Sequence, residues 1–232
     1  MKQRAFRAAL PYTLPVFMGY LFLGIAFGVL LTSKGFPVWL ALLMSLTIYA
    51  GSGQFVAIGL LTAPVNLAAS AAVTLMVNAR HLFYGLSLLD RLKHMGARKP
   101  YMIFSLTDET YSLLCSVRVP EGVDGGWFLF FISLLNHGYW ILGGLIGALA
   151  GRFLTFDSTG IDFAMTALFI VIFVEQWENA MSHVPAVLGV AVTLLCLLLV
   201  GQDKFILAAM AGIFLLLTLL RGRLREKVVE KA

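Results

Sequence analysis

Charge is scarce in this sequence. Of its 232 residues only 12% are Asp, Glu, Lys or Arg, about half the share of an ordinary soluble domain. A soluble globule covers its apolar core with such residues, and here 60% of the chain is hydrophobic, so lipid is the expected solvent. Cysteine is nearly absent: Cys115 and Cys196 both sit in apolar segments, with no metal-type spacing and no disulfide indicated. Long polar linkers are missing, which points to a single domain over 1–232. No Gly-x-x-x-x-Gly-Lys-Ser/Thr run occurs, which argues against a nucleotide-driven machine. The net charge of +5 sits in the chain ends and one loop, the pattern of a topology signal, so no nucleic acid partner is expected. No cofactor is expected either.

What is there is a succession of apolar runs, each close to the length of about 20 residues that crosses a bilayer. Seven stand out, near 11–32, 38–62, 65–89, 127–150, 162–181, 184–200 and 204–220. An eighth, 101–118, is weaker because it carries Thr107, Asp108, Glu109 and Thr110 in its middle. The expected fold is all-α: a polytopic transmembrane helical bundle of about seven spans plus a short, partly inserted helix. The first run is of full span length and contains Gly19, Gly24 and Gly28, so it reads as a retained helix and not a cleaved signal peptide.

Basic residues orient the chain. The loop 90–100 and the tail with Arg221, Arg223, Arg225 and Lys227 are expected in the cytoplasm. Three full spans before residue 90 then put Lys2, Arg4 and Arg7 outside, against the same rule. Either one of the first three segments does not cross, or 101–118 crosses and the tail is the exception.

An internal repeat is also expected. Gly19-Tyr20-Leu21-Phe22-Leu23-Gly24, with Gly28 and Leu30, recurs 119 residues later as Gly138-Tyr139-Trp140-Ile141-Leu142-Gly143, with Gly147 and Leu149. Met44 and Gln54 match Met165 and Gln176 at nearly the same offset. Transporter folds are often built from two such halves, and an odd number of spans per half makes them inverted. Gly24 with Gly28, and Gly143 with Gly147 and Gly151, recur every fourth residue and form flat stripes for close helix packing.

Three interruptions of the apolar pattern carry chemistry. In Tyr49-Ala50-Gly51-Ser52-Gly53-Gln54-Phe55, two glycines around a serine weaken the helix at bilayer depth. Broken backbone there is tolerated only inside protein or along a wet cavity, where freed N–H and C=O groups become ligands. In Asn78-Ala79-Arg80-His81-Leu82-Phe83-Tyr84-Gly85, an arginine deep in a span costs about 2.5–3.5 kcal/mol on insertion scales. Arg80 is therefore either a snorkelling anchor beside Tyr84 or a cation facing a cavity. Asn78, His81 and Gly85 share one face by spacing. In Leu106-Thr107-Asp108-Glu109-Thr110-Tyr111, one acid is placed to meet Arg80 and the other to meet solvent or a coupling proton. Weaker candidates are Asn136 and His137 at the start of the repeat, the Glu175-Gln176-Trp177-Glu178-Asn179 stretch, the loop acids Asp157 and Asp162, and the interfacial aromatics Trp39, Trp127, Trp140 and Trp177.

At these motifs the sequence resembles the AzlC family, the large subunit of bacterial branched-chain amino acid exporters. Tyr49, Ala50, Gly51, Gln54 and Phe55 match the family's Tyr-Ala-Gly-Ala-Ser-Gln-Phe motif, with Ser52 and Gly53 in place of the middle Ala-Ser. Arg80, His81, Tyr84 and Gly85 match its Arg-His-x-x-Tyr-Gly motif, and Leu106, Thr107, Asp108 and Glu109 its Leu-Thr-Asp-Glu motif. The resemblance implies export of valine, leucine or isoleucine across the bacterial inner membrane, and a small partner subunit of the AzlD type. The expected function is thus a secondary transporter, not an enzyme, with a channel or a membrane scaffold as the alternative. Tyr49, Gly51, Ser52, Gly53, Gln54, Asn78, Arg80, His81 and Tyr84 are the expected substrate-binding residues. Thr107, Asp108 and Glu109 are the expected coupling residues. A Ser52–His81 dyad for intramembrane proteolysis has no second feature behind it.

Overall fold

The computed structural model describes residues 1–62, 66–153, 163, 166–167, 170, 173–174, 177–178, 182–201 and 205–229. Asp157, Asp162, Met165, Glu175, Gln176, Asn179 and most of the apolar stretch 162–181 lie outside them. All regular structure among the described residues is helical. The helices are α1 (Lys2–Ser33), α2 (Val38–Thr47), α3 (Gly51–Thr62), α4 (Leu67–Ser87), α5 (Lys99–Phe104), α6 (Asp108–Ser116), α7 (Gly125–Phe153), α8 (Val184–Val200) and α9 (Phe205–Val229). They fall into two compact units, one of Met1–Ser70 with Val77–Met165, the other of Ala71–Met76 with Thr166–Ala232. In the second, α8 packs on α9, and a Cβ on Gly212 would touch Val192 Cγ1 at 3.1 Å.

The first unit is organised around α1 and α7, of 32 and 29 residues. At 1.5 Å per residue they reach about 48 and 44 Å, enough for about 30 Å of hydrocarbon. They run parallel. Phe6 meets Phe131 (ring centroids 5.3 Å), Phe17 meets Tyr139 (4.9 Å), Tyr20 meets Trp140 (5.5 Å), and Val29 backs onto Gly151. The glycine stripes of both helices form the seam. A Cβ added at Gly28 would lie 2.2 Å from the Gly144 carbonyl oxygen, and one at Gly147 2.1 Å from that of Ile25. Only hydrogen atoms fit between backbones this close.

The 38–62 run is not one straight span. The α1–α2 link places Val38 beside Thr32 and Gly151, at the C-terminal ends of α1 and α7. α2 then runs back to the level of His137, which bonds the Ser45 carbonyl oxygen at 3.0 Å. Ile48–Ala50 turn the chain, with Tyr49 at φ +42°, and α3 sets off toward the end from which α2 came. Phe55 packs on Phe27 (5.9 Å), whereas Tyr49 packs on Tyr20 (6.4 Å), and Phe27 lies about 10 Å further along α1. Two half-helices of 10 and 12 residues therefore form a hairpin inserted from one end.

A second hairpin enters from the other end. α4 runs opposite to α1, bringing Leu88 and Leu92 into a buried cluster with Ala5, Ala9, Phe128, Leu129 and Ile132. From there α5 rises until Phe104 packs on Tyr49 (6.4 Å). The chain turns at Ser105–Thr107, and α6 returns Leu114 and Val117 to the same cluster. Thr107 explains the break as the N-cap of α6: its side-chain oxygen accepts the Thr110 N–H at 3.2 Å, and Asp108 and Glu109 fill the first turn, where negative charge suits the helix dipole. Lys2 and the loop 90–98 consequently share one end of the unit, since Lys2 and Arg98 both lie over the Trp127 ring.

Candidate functional site

The two hairpin tips meet in the middle of the first unit, and the sequence motifs meet there too. Ser52 in the first turn of α3 accepts a hydrogen bond from Arg80 Nη2 (2.9 Å), while Arg80 Nη1 ion-pairs with Asp108 Oδ2 (2.7 Å) in the first turn of α6. Tyr84 Oη donates to the other Asp108 oxygen, Oδ1, at 2.5 Å. One guanidinium from α4 thus ties together the starts of two half-helices. At 26% and 30% exposure the Arg80 and Asp108 side chains border accessible space.

Side chains from α1 and α7 complete the cluster. Tyr20 Oη donates to Glu109 Oε2 (2.7 Å) and lies against Thr107 Oγ1. Thr107 Oγ1 donates to Thr110 Oγ1 (3.0 Å), which also accepts from the buried Asn136 amide (3.0 Å). Trp140 Nε1–H donates to Gln54 Oε1 (2.8 Å), and a Cβ on Gly51 would touch its ring at 3.3 Å. Gly53 lies against the Asn78 amide, 2.9 Å from where a Cβ would be. Gln54 is fully buried, yet its Nε2 has no partner, nor does Arg80 Nε. Because a buried unsatisfied donor costs about 1–3 kcal/mol, both are suited to an acceptor that arrives with a ligand. α3 adds more donors of the same kind. Its first turn holds no acid, and the Gln54 N–H already bonds the Ala50 carbonyl (2.7 Å), leaving the N–H groups of Gly51, Ser52 and Gly53 at a positive dipole end.

Of the residues expected from the sequence, Gly51, Ser52, Gly53, Gln54, Asn78, Arg80, Tyr84, Thr107, Asp108 and Glu109 gather at the tips. Tyr49 forms the first tip, 2% exposed, with its ring stacked on His137 at 4.2 Å. Packing on that ring holds a φ that costs a non-glycine residue about 1–2 kcal/mol. His81 stays apart: its Nδ1 bonds the Asn78 carbonyl oxygen one turn back on its own helix (3.2 Å). Ser52 and His81 are therefore each engaged elsewhere. Tyr20 and Trp140 belong to the cluster although the sequence does not mark them as site residues, and Thr110, Asn136 and His137, which it marks only weakly, belong to it too.

His137 joins the two hairpins. Its Nε2 bonds the Ser45 carbonyl oxygen of α2, which only accepts, so this nitrogen carries the proton; Nδ1 then accepts from Tyr101 Oη of α5 at 2.9 Å. His137→Ala is expected to lower stability by about 2 kcal/mol, at about 1 kcal/mol for each hydrogen bond, and Tyr101→Phe by about half of that. Thermal melting of the purified protein in detergent is the measurement.

Apolar through-helices that enclose two inserted half-helix hairpins, with charged and amide side chains at their tips, define a membrane protein of the broken-helix type. Comparison with known proteins narrows the class. The model of the AzlC protein family matches residues 15–154. The chain is 47% identical to the "Branched-chain amino acid transport protein AzlC" of Bacillus subtilis over 226 residues, covering 97% of this chain and 89% of that protein. It is 47% identical over 221 residues to an uncharacterized membrane protein of Helicobacter pylori J99 (95% and 97% covered), and 28% over 178 residues to "Inner membrane protein YgaZ" of Escherichia coli (73% and 72% covered). No solved structure matches it. The chain belongs to the AzlC family.

Proposed function

We propose that this protein is a multi-pass secondary transporter of the bacterial inner membrane that exports small neutral amino acids, branched-chain ones foremost, with a small AzlD-like membrane subunit as partner. The single observation that carries the site assignment is the set of donors at the start of α3. Gln54 Nε2 and Arg80 Nε lack partners, and the first-turn N–H groups lie beside them in the chain. A substrate carboxylate supplies the acceptor all of them suit. The Arg80–Asp108 pair holds the two tips in register, and Glu109, bonded to Tyr20, is the acid through which an ion gradient couples.

In this reading α1, α4 and α7 cross the membrane, while 38–62 and 101–118 are re-entrant. Lys2–Arg7 and the 90–100 loop then both face the cytoplasm, as the distribution of positive charge requires. The repeat is of the parallel type, because α1 and its counterpart α7 run the same way.

The test is efflux of labelled valine and leucine from loaded cells carrying Gln54→Ala. Losing one hydrogen bond to a charged group, about 1.5 kcal/mol, slows efflux about tenfold at equal expression. A wild-type rate in this variant would remove the carboxylate from α3.

A further inference from the structure

Away from the hairpin tips, positive charge gathers at the N-terminal ends of α1 and α7, and among the described residues no acid pairs with either cation. Lys2, the first residue of α1, places Nζ 4.4 Å from the centroid of the Trp127 ring, and Arg98 places Cζ 4.5 Å from the same centroid. The guanidinium also rests on the first turn of α7, where a Cβ on Gly126 would lie 3.1 Å from Nη2 and 3.2 Å from Nη1. An ammonium, a guanidinium and two positive helix ends thus share one indole, although helix N-termini favour anions and disfavour cations.

Local chemistry offsets this only in part. Neither α1 nor α7 has an acid in its first turn. Asp124 caps α7, its Oδ1 accepting the Trp127 N–H at 3.0 Å, and so balances that helix end but not the two cations. Among the described residues neither Lys2 nor Arg98 forms an ion pair, and the guanidinium's protein hydrogen bond is the long one from Nε to the Met95 carbonyl (3.4 Å). Arg98 Nη1 is buried with no acceptor. The indole face fixes both cations but brings no negative charge.

The surface that continues from this point is apolar. Phe130 and Phe131 pack against Trp127 at 5.6 and 5.7 Å, and Leu134, two turns further along α7 on the Trp127 side, is 40% exposed. A tryptophan at the head of an apolar strip is the pattern of the membrane interface. We infer that Lys2, Arg98 and Trp127 bind the phosphate of an anionic membrane lipid, whose acyl chains lie along the α7 strip. The strip distinguishes this ligand from a soluble phosphate, which needs only the cations.

The experiment is quenching of tryptophan fluorescence in the full-length protein reconstituted into phosphatidylcholine vesicles. Brominated phosphatidylglycerol or brominated phosphatidylcholine is the quencher, and Trp127→Phe isolates the Trp127 share. Half-quenching of Trp127 is expected at an about tenfold lower fraction of the anionic lipid, with the preference lost in Lys2→Gln/Arg98→Gln and kept in Arg98→Lys. Equal quenching by the two lipids overturns the inference, as does a preference that survives in the double variant at unchanged helicity. Displacement of the anionic lipid by inorganic phosphate also overturns it, because the site is then one for soluble anions.

Discussion

Arg80→Gln is expected to slow amino acid efflux by about 30- to 150-fold, the equivalent of roughly 2–3 kcal/mol. The side chain makes two charged contacts at once, to Ser52 on α3 (2.9 Å) and to Asp108 on α6 (2.7 Å). Removing one member of a fully buried pair costs about 3–5 kcal/mol; exposures of 26% and 30% bring the estimate down. Loss of the cation strands the Asp108 carboxylate with the Tyr84 hydroxyl as its remaining side-chain donor. Asp108→Asn strands Arg80 in the same way. The double variant Arg80→Gln/Asp108→Asn removes both charges, so its thermal midpoint is expected above either single variant while efflux stays low. Arg80→Lys is expected to recover little, because an ammonium is a point charge and does not span two acceptors on different hairpins as the guanidinium fork does. Efflux at the wild-type rate in Arg80→Gln, at equal expression, removes the pair from the transport step. The stability ranking tests the packing role whatever the substrate proves to be.

Much of this centre is legible in the sequence, and the parts that are not have physical reasons. Gly51-Ser52-Gly53 announces a break in an apolar run, but the break falls just before it, at Ile48–Ala50, and Gly51–Gly53 themselves form the first turn of α3. Hydropathy does not say what the chain does next, because half-helices of 10 and 12 residues have the same composition whether they continue or fold back. The reversal depends on Tyr49 adopting a left-handed φ, and tyrosine gives no local sign of that. Thr107-Asp108-Glu109 looks like acid misplaced in a span, yet Thr followed by two acids is also a helix-start signal, and it serves as one here. His81 shares a motif with Arg80, but its ring bonds its own helix. The opposite holds for Tyr20 and Trp140, and in part for the weaker candidates Asn136 and His137. On through-helices such residues look like ordinary aromatics and amides, and parallel packing of α1 on α7 is what brings them to the tips. The basic N-terminus conflicts with three full crossings before residue 90, and folding 38–62 back on itself removes that conflict.

The largest structural effect is expected from the seam between those helices. Alanine at Gly28 puts a methyl group 2.2 Å from the Gly144 carbonyl oxygen and 2.4 Å from the Ala148 nitrogen; alanine at Gly147 puts one 2.1 Å from the Ile25 carbonyl oxygen. The obstacles are backbone, which rotamers do not relieve, so the helices must separate along the seam. Overpacking costs about 1–3 kcal/mol and more when backbone has to move, which corresponds to a fall of about 6–12 °C in melting midpoint for about 3 kcal/mol. Gly19 and Gly138 stand on the same two helices with nothing within 4 Å of a Cβ. Gly19→Ala and Gly138→Ala are expected to be neutral or to stabilise by about 0.5–1 kcal/mol, through the lost backbone freedom of glycine. Because Gly28 and Gly147 touch, the double variant is expected to cost less than the sum of the singles, since the first methyl already makes room for the second. A Gly28→Ala midpoint equal to that of Gly19→Ala contradicts the seam. The contacts also support the parallel repeat proposed above. Gly144 stands 119 residues after Ile25, and Gly147 stands 119 after Gly28, so the Gly28–Gly144 and Ile25–Gly147 approaches are one contact made twice with the halves exchanged. That reciprocity is what a two-fold axis produces, and between helices running the same way the axis lies along them. An inverted pair of halves, with its axis across the helices, sets these two segments antiparallel and does not bring the glycines to this register.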